Sequence, residues 1–277
     1  MVSTPSILCM VITLLISLIL PLVIILVLCI KRKIHIIPVL VGAGVFFLFQ
    51  MILRIPALQI GASLSPEFAE FISTPVLGGL FLGLTAGIFE EFGRYIGYRT
   101  LLRRRSDWKD GLAFGLGHGG IEAILLVGLS YVNNLIYAFI INSGNWGTVS
   151  ALLPAETALQ MYNALVYTPS YQFLIGGVER IFAMTIQIAL SLLVLYGIRK
   201  RRFAYVLLAV FLHLLVDSPV VFLMQKVGIW WTELYVFVCA LAALVYIIYS
   251  RKAFAKLDDT QPSMQSHPVP DVPAQPE

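Results

Sequence analysis

About seven stretches of this sequence run for roughly 20 residues with little or no charge, and each is long enough to cross a hydrocarbon core about 30 Å thick as a helix. They span approximately residues 6–30, 35–56, 75–102, 111–141, 173–198, 203–224 and 229–249. Of the 277 residues, 59% are hydrophobic and only 12% charged, about half the charge of an ordinary soluble domain. The expected architecture is therefore all-α: one polytopic transmembrane bundle of about seven spans, over residues 1–256. From 257 the chain turns polar and rich in proline, and residues 257–277 are expected to form a disordered cytoplasmic tail.

The basic residues are one-sided. Lys31, Arg32 and Lys33 follow the first span, Arg103, Arg104, Arg105 and Lys109 the third, Arg199 to Arg202 the fifth, and Arg251 and Lys252 the seventh. No Lys or Arg lies from Asp110 through Glu179. Basic loops stay cytoplasmic, so the N-terminus is expected outside and the C-terminus inside. The net charge of +4 is then a topology signal, and no nucleic-acid partner is expected. No basic residue precedes the first run, which argues for a retained span over a signal peptide. The expected location is the bacterial cytoplasmic membrane, as a multi-pass protein in contact with the lipid bilayer. Cys9, Cys29 and Cys239 sit in apolar runs without metal-ligand or disulfide spacing.

Charged groups at membrane depth are costly and mark function by default. The third span carries Glu90, Glu91 and Arg94, the fourth His118 and Glu122, the fifth Glu179 and Arg180, the sixth His213 and Asp217. At about 1.5 Å per residue, Glu90 lies roughly 20 Å from Arg103, His118 roughly 14 Å from Lys109, and His213 roughly 16 Å from Arg202. Three spans thus bring a carboxylate and two imidazoles to a common depth. Glu179, roughly 30 Å from Arg199, falls nearer the outer face. Glu90 and Arg94, His118 and Glu122, and His213 and Asp217 are each four apart and share a helix face. Gly79, Gly83 and Gly87, and again Gly111, Gly115 and Gly119, form small-residue stripes that let helices approach closely and would seal a polar pocket between spans.

Glu90-Glu91-x-x-Arg94, then Phe114-x-x-x-His118, then His213-x-x-x-Asp217, in that order on separate spans, resembles the motif layout of glutamate-dependent intramembrane proteases. These include the type II CAAX prenyl endopeptidases, the bacterial CAAX-protease and bacteriocin-processing proteins, and the PrsW-type proteases. Over roughly residues 5 to 250 the chain is similar to the YhfC-type membrane peptidase family. Two features depart from the CAAX pattern: the arginine follows the second glutamate by three positions, as in the PrsW type, and Asp217 stands where asparagine is usual. The resemblance implies hydrolysis of peptide bonds in membrane-embedded or membrane-associated proteins. Glu90, with Glu91, would activate water; His118 would orient it; His213, held by Asp217, would stabilise the oxyanion; Arg94 and Glu122 would support them. A metal-free mechanism without cofactor is the favoured expectation. The alternative is a zinc site of Glu90, His118 and His213. A proton-coupled transporter is the rival of another class.

Overall fold

Inside a bilayer the backbone finds no water, so each apolar run must satisfy its own N–H and C=O groups. The computed structural model of the chain, which describes residues 1–260, does so with helices and contains no strand among those residues. They are α1 (Thr4–Ile30), α2 (Ile36–Leu64), α3 (Pro66–Ser73), α4 (Leu77–Thr100), α5 (Trp108–Asn142), α6 (Trp146–Ser150), α7 (Ala155–Tyr167), α8 (Ser170–Arg199), α9 (Ala204–Lys226) and α10 (Ile229–Thr260). Six of these are long and apolar enough to cross a membrane on their own. The α3 and α4 helices, which meet at 92°, are a candidate seventh span as a bent pair; α4 falls short alone because Glu90, Glu91 and Arg94 crowd its middle.

Two helices outrun their expected ends. The α2 helix continues past residue 56 to Leu64. The α10 helix runs to Thr260, so residues 257–260 continue it, with Leu257 buried and Asp258 bonded to Arg199 at 2.7 Å. The rest of the expected tail, 261–277, lies outside the described residues.

Wide π-helical turns interrupt α1 at Leu15–Ile19, α2 at Phe47–Arg54 and α5 at Ala123–Gly128. The first two precede Pro21 and Pro56. A proline lacks the N–H that would bond four residues back, and its ring crowds that carbonyl, so the preceding turn opens. The α2 turn carries Gln50 and Arg54, both buried.

Lipid tails are as apolar as leucine, so helices here associate through close packing rather than through escape from water. The crossing of α2 and α5 is closest. A Cβ on Gly117 would stand 1.9 Å from the Val39 carbonyl oxygen, and one on Gly42 would stand 2.1 Å from that of Phe114. Gly111, Gly115 and Gly119 lie against α8, while Gly79, Gly83 and Gly87 lie against α9. The α8 helix runs through the middle of the bundle. It packs on α1, α4, α5, α9 and α10, and is buried continuously from Ile186 to Leu195. The charged residues of α4, α5, α8 and α9 therefore meet between helices, away from lipid.

Candidate active site

The α4 helix supplies Glu90, Glu91 and Arg94, all buried, with Glu91 and Arg94 fully so. The guanidinium of Arg94 donates to Glu91, to the Gln187 side-chain oxygen of α8 and, at 3.4 Å, to Glu90 Oε2. From α5, His118 Nε2 lies 2.9 Å from Glu90 Oε2. Its ring is fixed edge-to-face by Phe46 at 5.2 Å and stacks over Phe114 at 6.3 Å. From α9, His213 Nδ1 lies 2.7 Å from Glu91 Oε1. Its Nε2 lies 3.3 Å from Asp217 and 4.0 Å from Glu90 Oε1. Glu90, His118 and His213, placed at one depth by residue counting, thus meet between α4, α5 and α9.

Gln187 joins what those helices deliver. Its Nε2 donates to Glu122 at 2.6 Å and to Glu90 at 3.3 Å, while its oxygen receives Arg94. Nothing in the sequence reading singled it out, because it carries no charge. Counting depth from Arg199 would have found it: twelve residues at about 1.5 Å place it roughly 18 Å in, level with Glu90. Glu179 and Arg180 are tied in from the other side of the layer. Arg180 donates to Glu179 and, at 3.4 Å, to Glu122.

A cavity of about 300 Å³ adjoins this network, lined by Glu122, His213, Asp217 and Arg180 and, on the α2 side, by Gln50 and Arg54. Glu90, Glu91, Arg94 and His118 lie behind that lining. Asp217, whose side chain is 43% exposed, is the most open of the acidic groups around His213.

Three donors lie within ligand reach of one point. One atom each of Glu90, His118 and Glu122 fall within 4.8 Å of one another. Glu122 stands where the expected zinc set had His213; both nitrogens of His213 already face carboxylates of Glu91 and Asp217. The donor set fits zinc, which takes imidazole nitrogen and carboxylate oxygen. The charge fits too: five carboxylates (Glu90, Glu91, Glu122, Glu179, Asp217) against three guanidiniums (Arg54, Arg94, Arg180) leave a formal −2 with histidine neutral, which a divalent cation offsets.

A multi-pass helical bundle that buries a carboxylate–imidazole centre beside a partly open cavity is a membrane protein built around an intramembrane polar site. The chain belongs to the YhfC intramembrane metalloprotease family, whose sequence profile matches residues 16–236. It is 38% identical over 223 residues to "Uncharacterized membrane protein YhfC" of Bacillus subtilis (strain 168), an alignment covering 77% of this chain and 84% of that protein. No solved structure matches. The family's description names a metalloprotease and lends no support to the metal-free preference.

Proposed function

We propose that this protein is an intramembrane endopeptidase that hydrolyses peptide bonds of membrane-associated proteins, with Glu90, His118 and Glu122 holding a zinc ion. The convergence of those three side chains from α4 and α5 within 4.8 Å, in a family described as metalloproteases, carries this reading. When bound, zinc supplies a Lewis acid that activates water at neutral pH.

The remaining work falls to side chains. Glu90 meets His118 through Oε2, which leaves Oε1 toward His213 as the oxygen able to take a proton from water. Glu91 Oε1 accepts from His213 Nδ1 and so orients the ring with Nε2 at the cavity. Once Nε2 also takes up the proton that Glu90, 4.0 Å away from it, removes from water, the imidazolium can hydrogen-bond the scissile carbonyl oxygen as negative charge grows on it and then hand that proton to the leaving amine. Asp217 steadies that nitrogen at 3.3 Å. Arg94 and Gln187 fix the two carboxylates of the layer and keep their spacing.

The test compares membrane-protein fragments in cells carrying wild type or Glu90→Gln, alongside the zinc content of both purified proteins. Fragments that vanish in a folded Glu90→Gln protein, with zinc near one per wild-type chain and lower in His118→Ala, support the reading. Full cleavage by metal-free protein would return the mechanism to a glutamate-activated water. Absence of any wild-type-dependent fragment, with a proton flux across vesicles instead, would make the chain a transporter.

A further inference from the structure

Arg54 lies on α2, in its π-helical turn, and is 8% exposed. One edge of its guanidinium is held by α4: Nη2 donates to the Leu82 carbonyl oxygen at 2.7 Å and Nε to Thr85 Oγ1 at 3.2 Å. Both partners are neutral. Among the described residues no carboxylate oxygen comes within 4.0 Å of this side chain, although Arg94 and Arg180 each have one. Glu90 and Asp217 act on it only from beyond that distance; a buried cation at membrane depth with no anion in contact is costly, and such residues pair or serve a ligand. The cavity beside the active-site layer is lined by Arg54 itself. Gln50, one turn earlier on α2 and 7% exposed, lines it too, and its side-chain Oε1 is buried with no hydrogen-bond partner.

The geometry points to a carboxylate subsite formed by Arg54 and Gln50, which receives an anionic group of the substrate a few residues from the scissile bond. This rests on the proposed peptidase reading for the identity of the ligand as a peptide. Arg54 offers charge-assisted N–H donors on its cavity edge, the group best suited to a carboxylate. The orphaned Gln50 oxygen accepts the N–H of the neighbouring peptide unit. Glu122 and Asp217 share the cavity and would repel an anion placed among them. Glu122, however, is engaged by Gln187 and Arg180, and Asp217 by His213, so the α2 wall is the cationic one. Spacing also fits. Glu90 lies five residues beyond Thr85 and eight beyond Leu82 on α4, or roughly 8–12 Å at 1.5 Å per residue. An extended peptide advances about 3.3 Å per residue, so the carboxylate sits roughly two to four residues from the bond cut. It can belong to the chain's C-terminus or to an Asp or Glu side chain.

Three soluble probes separate the sources: acetyl-Ala-Ala-Ala with a free carboxylate, its C-terminal amide, and acetyl-Ala-Glu-Ala-amide. Their binding to purified full-length protein in detergent is measured by calorimetry, a readout that needs no hydrolysis. A carboxylate-bearing probe should bind about tenfold or more tightly than the plain amide, the step worth roughly 1.4 kcal/mol. Arg54→Gln should erase that ratio while leaving amide affinity unchanged, and Arg54→Lys should keep part of it. Whichever carboxylate wins names the source. Equal binding of acid and amide to wild type, a carboxylate preference that survives Arg54→Gln, or no binding of any probe to folded wild type would each overturn the subsite. If Arg54→Gln does not fold, the wild-type ratio and the lysine variant decide. A preference seen in a protein that cleaves nothing would uphold the subsite and refute the peptidase instead.

Discussion

Replacing Arg94 with methionine tests how the buried layer is held. The methionine fills most of the volume but removes the cation that engages Glu91, Gln187 and Glu90. Glu91 is fully buried, and its Oε2 already lacks a partner. It would keep only the His213 contact at 2.7 Å. Breaking a buried pair from one side typically costs about 3–5 kcal/mol, because an uncompensated charge stays behind. At roughly 2–4 °C per kcal/mol for a protein of this size, the melting temperature should fall by about 6–20 °C. Thermal unfolding of the detergent-solubilised protein, followed by size exclusion, reads this directly. The double variant Arg94→Met, Glu91→Gln removes the stranded charge and should recover about 1–3 kcal/mol relative to the single one. Arg94→Lys keeps the charge, but one ammonium cannot span Glu91 and Gln187, so its loss should be intermediate. A single variant as stable as wild type, or a double variant worse than both singles combined, would refute the account of Arg94 as the counter-charge of the layer.

Gly117→Ala should lower stability by at least about 1–3 kcal/mol, because its Cβ would stand 1.9 Å from a main-chain oxygen that cannot rotate away; Gly144→Ala, open on all sides but at φ +78°, serves as a control for strain without crowding. Single cysteines at positions 104 and 145 should label in opposite patterns with a membrane-impermeant reagent, 145 reacting in intact cells and 104 only after permeabilisation; the reverse would invert the orientation expected from the basic clusters. Truncation after 260 should leave the melting temperature close to wild type. Truncation after 256 removes buried Leu257 and the Arg199–Asp258 contact and should cost on the order of 1.5–3 kcal/mol; equal stability of the two truncations would show that the last turn of α10 contributes nothing.

The spans were legible because a bilayer leaves a long apolar run little choice but to become a helix. Their ends were not. Pro56, followed by Gln59 and Ser63, reads as the close of the second span, yet the π-helical turn at Phe47–Arg54 absorbs the proline and the helix continues to Leu64. Composition likewise placed the tail boundary at 257, a few residues before α10 stops, since Asp258 and Asp259 look solvent-facing until Arg199 is found opposite Asp258. At α10 a local polar signal was outweighed by a partner on another helix, which no single stretch of sequence records; at α2 it was outweighed by a widened turn within the helix itself.

The same logic separates what could be seen of the site from what could not. Glu90, Glu91, Arg94, His118, Glu122, His213 and Asp217 announce themselves because a charge or imidazole amid apolar residues is expensive. Gln187 costs less to bury and drew no notice, though it bridges Arg94, Glu90 and Glu122. Arg54 was hidden by the misplaced end of α2: near an apparent span terminus, an arginine is expected to reach for the interface. Once α2 is extended to Leu64, Arg54 lies ten residues inside it and becomes as exceptional as Arg94. Glu122 shows the complementary limit. Its helix face pairs it with His118, but only the close packing of α8 on α5, seated on Gly115 and Gly119, brings Gln187 and Arg180 to its two oxygens. Depth can be counted along one helix; which side chains share a point at that depth is decided by where the glycines let two backbones touch.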